Sequence, residues 1–227
     1  MARRLGDTVA RMAGKWTDRL AGKFIVIDGP DGAGKTTQAG MLAERLRGKG
    51  LTVCEVRDPG GTAIGGKIRE ILLDPANAPM AVECELMLYM ASRAQLAEEV
   101  IRPALAAGQC VLGDRYISST VAYQGAGGID PEAVRRAGRI AVGETWPDLT
   151  VVLDLPSEEG LARAKQARRH DRMEAKGLEF HRKVRELFLL QVREDPAHFA
   201  VVDGSGGVEE VHARLMAAME DWSAANA

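Results

Sequence analysis

Lys35 and Thr36 close a glycine-rich run, Gly29-Pro30-Asp31-Gly32-Ala33-Gly34-Lys35-Thr36-Thr37, that directly follows the apolar stretch Phe24-Ile25-Val26-Ile27. The spacing of Gly29, Gly34, Lys35 and Thr36 fits the phosphate-loop template. In it, backbone N–H groups converge on phosphates, the lysine reaches the β and γ oxygens, and the first threonine hydroxyl ligates Mg²⁺. Glycines permit left-handed backbone angles and let amides approach an anion that a Cβ would block, while the following helix adds its positive end. The chemistry implied is the binding of a nucleoside triphosphate.

Three further groups could act on phosphate. Arg57-Asp58-Pro59-Gly60-Gly61-Thr62 places a guanidinium at a strand end before a tight turn, where it can offer a bidentate fork. Asp114-Arg115-Tyr116 ends another apolar run; an aspartate there is the expected partner of hydrated Mg²⁺, and Asp154, also at a strand end, competes for that role. Arg163, Lys165, Arg168, Arg169 and Arg172 form a basic cluster, which as a mobile segment could close over the transferred group. Arg93 sits in a helix that is apolar almost all round, including Leu86, Met87, Leu88 and Met90, so it needs a specific partner.

The elements that must position these residues follow from periodicity. Strands are predicted at Phe24–Ile27, Leu51–Val56, Cys110–Leu112, Leu149–Leu155 and Phe199–Val202, with helical patterns between them. That alternation gives an α/β fold, a parallel sheet with helices on both faces, whose ligands gather beyond the carboxyl ends of the strands. Asp130-Pro131-Glu132 starts a helix with an aspartate cap, and Pro103 should break or kink another.

A chain of 227 residues with net charge −2 suits one domain, or one domain with a small lid, and offers no global basic field for nucleic acid. Cys54, Cys84 and Cys110 lie far apart, which argues against a structural zinc site and for reduced thiols in a cytoplasmic setting; Cys54 and Cys110 read as core residues. There is no membrane-length apolar stretch. Residues 1–21 form an N-terminal extension in which Leu5, Val9, Met12, Trp16 and Leu20 recur at helical spacing with basic residues between them. A helix packed on the domain, or a mobile extension, is favoured over a membrane or targeting role.

Phe24 to Gln38, Arg57 to Thr62, Glu85 to Gln95, Asp114 to Gln124 and Asp171-Arg172-Met173-Glu174 resemble, in that order, the motifs of the thymidylate kinase family. The resemblance runs from about Gly22 to the C-terminal helix. It implies a five-stranded nucleoside-monophosphate-kinase fold over residues 22–227, with a helical lid at about 163–176, and transfer of the ATP γ-phosphoryl to dTMP with Mg²⁺. It further implies that Arg57 and Arg115 hold the dTMP phosphate, Tyr89 stacks on thymine, and Arg93 bonds the base edge. Ser119 and Gln124 would line the base pocket, Tyr123 would crowd the sugar 2′ position, and Asp31 would serve the sugar 3′-OH or the metal. The family draws its catalytic arginine from the loop or the lid. Since this loop has none, the lid is implied, with Arg168 first and Arg163 second. Asp58 stands where glutamate is usual, one methylene shorter. A homodimer is also implied, and the apolar helix near Leu86 to Leu96 is its candidate interface.

Two other readings fit the phosphate loop alone: a kinase acting on a nucleoside or a different monophosphate, and a non-catalytic nucleotide-binding switch. Arg93, Tyr123 and Gln124 discriminate against the first. The arginines at separate strand and helix ends have no use in the second.

Overall fold

A computed structural model of the chain describes residues 16–166, 172 and 176–226. Five parallel strands, β1 (Phe24–Asp28), β2 (Val53–Arg57), β3 (Cys110–Asp114), β4 (Leu149–Asp154) and β5 (Phe199–Asp203), form one sheet in the order β2-β3-β1-β4-β5. All five expected strands are present, and four of them reach one residue further, or end one residue earlier, than the apolar runs suggest. The polar end residues Asp28, Arg57, Asp114 and Asp203 still pair with neighbouring strands, because backbone pairing does not stop where hydrophobicity does.

Alternation along β1 explains the layers. Ile25 and Ile27 face a core with Leu42, Ala43 and Leu46 of α1 (Lys35–Arg47) and Leu215 and Met219 of the C-terminal helix, which is α9 (Val208–Ala225). Phe24 and Val26 face the opposite core, with Leu86, Met90 and Leu96 of α3 (Val82–Leu96) and Val121 of α5 (Ile117–Ala126). Both faces of the central strand are therefore dry, as a parallel sheet requires. A third cluster joins Val152 of β4 and Tyr123 to Val184 and Phe188 of α8 (Leu178–Glu194).

The remaining helices are α2 (Ala63–Leu73), α4 (Arg102–Ala106), α6 (Pro131–Val142) and α7 (Ser157–Gln166). Asp130 caps α6 by accepting from the N–H groups of Glu132 and Ala133, at 3.3 and 3.1 Å. Pro103 does not end its helix. A π turn at Ala97–Ile101 absorbs the missing donor, with the Arg102 N–H bonded to the Ala97 carbonyl, and joins α3 to α4. Cys110 is core, and its burial pushes the thiol up to about 12. Cys54 is only half buried, since β2 is an edge strand.

The described end of the N-terminal extension packs on the domain. Leu20 is fully buried, Trp16 is 8% exposed in the α1/α9 core, and the Ser223 hydroxyl donates to the Trp16 carbonyl at 3.1 Å. Residues 1–15, with Leu5, Val9 and Met12, lie outside the described residues. Trp16→Ala should lower unfolding stability by about 3 kcal/mol in urea denaturation, the usual cost of emptying an aromatic site in a core. A change within about 0.5 kcal/mol would instead mark Trp16 as a surface group.

Candidate active site

Phe24 to Asp28 carries the chain to the carboxyl edge of the sheet, and the turn that follows needs its glycines. At Gly29, with φ 133°, an added Cβ would lie 2.4 Å from the Leu153 carbonyl. At Gly32, with φ 76°, it would lie 2.1 Å from the carbonyl of Gly160, in the first turn of α7. The loop is thus wedged between β4 and α7 by backbone contacts, which fixes where its amides point. Asp28, fully buried, accepts from the Gly29 N–H at 2.9 Å and from the Ser118 and Ser119 hydroxyls at 2.5 and 2.7 Å.

Beyond the loop opens a cavity of about 640 Å³ lined by Asp31, Gly32, Gly34, Lys35, Thr36, Thr37, Arg57, Asp58, Tyr89, Arg93, Asp114, Arg115, Ser119, Tyr123, Gln124 and Arg163, among others. Gly29, Pro30 and Ala33 stand behind that surface and shape it. The Lys35 ammonium donates to the Pro30 carbonyl at 2.7 Å. Burial, and then repulsion from Arg115, bring its pKa down to about 8.

Register accounts for the meeting of the strand-end residues. Arg57 pairs with Asp114 across β2/β3, and Ile27 pairs with Asp114 across β1/β3, so three strand ends come level beside the loop. The Arg57 guanidinium belongs to a residue lining the cavity and has no hydrogen bond or ion pair with any described residue. Arg115 adopts a left-handed backbone, φ 72°, a strained state that a non-glycine residue keeps only where its surroundings enforce it. Its guanidinium donates to Asp31 at 2.5 Å, to Ser119 at 3.0 Å and to the Gly29 carbonyl at 3.2 Å. Burial alone would raise the Asp31 pKa, but Arg115 and then Lys35 outweigh it and hold the carboxyl below its usual value. Asp31 Oδ2 is buried without a hydrogen-bond partner, with His181 Nδ1 at 4.0 Å. The Tyr123 hydroxyl lies near Asp31 and Arg115 without meeting hydrogen-bond geometry with either, and Arg115 stacks over the Tyr123 ring at 5.3 Å.

The Thr36 hydroxyl donates to Asp114 Oδ2 at 2.6 Å, which brings together the two oxygen groups expected at a Mg²⁺ site. A hard-oxygen pair of this kind suits Mg²⁺ held jointly with nucleotide phosphates and water. Among the described residues, no group of three or more histidine, cysteine or acidic side chains could hold a metal unaided. Asp154, the competing carboxylate, is taken: Arg185 of α8 binds it bidentately at 2.7 and 2.8 Å.

The expected base-pocket residues are more committed than their sequence suggests. Arg93, 1% exposed, donates to Asp58 at 2.7 Å, to Thr120 at 3.2 Å and to the Tyr116 carbonyl at 3.1 Å, while remaining part of the cavity wall. Asp58 is therefore the buried partner that Arg93 requires. Ser119, on the cavity wall, is divided between Asp28 and Arg115. Arg163 enters the cavity wall from the last turn of α7, tied to Glu159 at 2.6 Å and the Gly204 carbonyl at 3.2 Å. Arg168 lies outside the described residues.

Asp28, Glu85 and Gly160 are not picked out by motif reading. Asp28 and Glu85 do carry a usable signal, an acid within or ending an apolar run that must be paired once buried. Gly160 carries none, because its constraint is a backbone approach from a distant segment.

The family model described as thymidylate kinase matches residues 27–215. The chain is 46% identical over 197 residues to a thymidylate kinase of Ectopseudomonas mendocina, covering 86% of this chain and 94% of that one. It is 45% identical over 204 residues to a thymidylate kinase of Caldanaerobacter subterraneus subsp. tengcongensis, covering 89% and 97%. The crystal structure of thymidylate kinase from Ehrlichia chaffeensis superposes with a TM-score of 0.71 at 27% identity, over 87% of this chain and 97% of that one. With a strained Arg115 beside the phosphate loop and a family match over most of its length, the chain belongs to the thymidylate kinase family.

Proposed function

We propose that the cavity beyond the sheet is where this kinase brings ATP and dTMP together, with the donor on the loop and the acceptor between Arg57 and Gln124. The chain transfers the γ-phosphoryl of ATP to dTMP, giving dTDP and ADP. The observation that carries the site assignment is the convergence of Lys35, Arg57 and Arg115 on one cavity, with Arg57 unpaired among the described residues. Phosphoryl transfer passes through a loose transition state, so alignment and charge stabilisation do the catalysis and no protein nucleophile is needed.

In this reading the Gly29–Thr37 amides and Lys35 hold the ATP phosphates, while Arg57 and Arg115 hold the dTMP phosphate. Asp31, kept ionised, accepts from the sugar 3′-OH with the oxygen that has no protein partner. Tyr89 stacks on thymine, Arg93 and Gln124 meet its edge, and Tyr123 fills the space a ribose 2′-OH would need. Mg²⁺, held by Thr36 and, through water, by Asp114, would neutralise charge on the β and γ oxygens when bound. Residues 22–227 act as one kinase domain whose basic segment at about 163–176 supplies the catalytic arginine, Arg168 before Arg163.

The exposed apolar side chains Ile64 and Ile71 on α2 and Met87 on α3, 51%, 45% and 58% exposed on two packed helices, support a homodimer through this face. No helix among the described residues is long and apolar enough to cross a membrane, in keeping with work in the cytoplasm.

Coupled ADP release measured across dTMP, dUMP, UMP, CMP, AMP and GMP should be fastest with dTMP. In the same assay Arg168→Ala should lower kcat by about a hundredfold or more with a smaller rise in the dTMP KM. A pure KM effect would make Arg168 a binding group. Met87→Lys should move the sedimenting species toward the monomer; an unchanged sedimentation coefficient would place the interface elsewhere.

The Lys35 pKa gives a pH prediction. A lysine near 8 is about half neutral at pH 8, and nearby phosphates raise its pKa, so on nucleotide binding Lys35 should take up about half a proton at pH 8 and almost none at pH 6.5. Calorimetry of ADP binding in buffers of different ionisation enthalpy measures this. The extra uptake at pH 8 should vanish in Lys35→Arg, which stays charged.

A further inference from the structure

Glu85 lies on α3, one turn before Tyr89, and is 1% exposed. Three groups meet its carboxylate. Arg172 donates to Oε2 while its Nε bonds the Leu72 carbonyl, Lys176 stands 4.0 Å from Oε1, and the Gln124 side-chain amide donates to Oε1 at 2.5 Å. A carboxylate between cations has only lone pairs to offer. It can accept from Gln124 but cannot donate to it, so the NH₂ end of that amide must face Glu85. The other end, Gln124 Oε1, is buried and has no hydrogen-bond partner, on a residue that lines the cavity.

We propose that Glu85 is a specificity-determining positioning residue: by fixing the Gln124 amide it makes that side chain acceptor-only toward the pyrimidine edge, beside the donor Arg93. This rests on the proposed placement of the base against Gln124. Thymine and uracil carry a hydrogen on N3 and can donate to that oxygen. Cytosine has a lone pair at N3, so two acceptors would face each other in a dry pocket, which costs the bond and the desolvation of both. Were the amide free to turn, its NH₂ would donate to cytosine N3 equally well. Glu85 therefore converts an ambivalent side chain into a selective one without touching the substrate. Arg172 neutralises the carboxylate from the other side, so it is tolerated in the interior.

The test is the ratio of kcat/KM for dTMP to that for dCMP, which a merely structural residue would not move. Glu85→Gln, whose amide can either donate or accept, should lower the ratio by about tenfold or more. Gln124→Ala should lower it as well, and Glu85→Gln added to Gln124→Ala should lower it no further, since the effect passes through Gln124. If Gln124→Ala lowers the ratio and Glu85→Gln leaves it unchanged, Glu85 does not set the amide and this inference fails alone. If Gln124→Ala leaves the ratio unchanged, the placement of the base fails and the inference with it. A further fall in the double variant would show that Glu85 acts by another route and would also overturn it. Should Glu85→Gln not fold, Glu85→Gln combined with Arg172→Met removes both buried charges together and is read against the same ratio.

Discussion

The fully buried Asp28 carboxylate binds the two halves of the site to each other. It caps the start of the phosphate loop through the Gly29 N–H, anchors α5 through Ser118 and Ser119, and stands 3.5 Å from Arg115. Loop and α5 are separated by some ninety residues of sequence, so no local preference could hold them in register. A buried charge of this kind is tolerable when its oxygens are hydrogen-bonded and a cation is close, and here both Asp28 oxygens are bonded and Arg115 is near. Removing the carboxylate would leave two buried hydroxyls and an amide competing for nothing, and would free Arg115 to turn.

From that anchor the rest follows in layers. The β1/β3 register brings Asp114 level with Ile27, so the carboxylate that meets Thr36 and the arginine that meets Asp31 come from consecutive residues on one strand end. Asp114 meets Thr36 of the phosphate loop and Arg115, in its left-handed conformation, turns to Asp31. The strain at this residue, typically of the order of 1–3 kcal/mol, accompanies contacts to Thr36 and to Asp31 made from adjacent positions.

The parts of this arrangement that were legible in the sequence are those carried by local signals. Continuous apolar runs fixed the five strands, the Gly29–Thr37 spacing fixed the cradle, and Asp130-Pro131 fixed the start of α6, because each depends on residues within a few positions of one another. Arg93 was legible as a buried charge in need of a partner, but Asp58 as that partner was not, since the pairing joins a loop to a helix 35 residues away. The wedge of Gly32 against Gly160 and the Glu85 link to Gln124 and Arg172 are likewise contacts between distant segments. The competing role for Asp154 could be set aside only once Arg185 was seen to occupy both of its oxygens.

The charge pattern of the cavity also bears on how binding energy is used. Lys35, Arg57 and Arg115 converge on one cavity, and Arg115 already contributes to lowering the Lys35 pKa. Asp28 and Asp31 offset Arg115, and Asp31, Asp114 and Asp28 offset Lys35 in part, while the Arg57 guanidinium has no ion pair with any described residue. Phosphates entering this space relieve a repulsion built into the free enzyme as well as forming new bonds. The relief is largest where negative charge is densest, along the line between the donor γ-phosphate and the acceptor phosphate, which is where the loose transition state spreads its charge. Cations already in place when both substrates bind favour a transition state that gathers negative charge over either substrate bound alone.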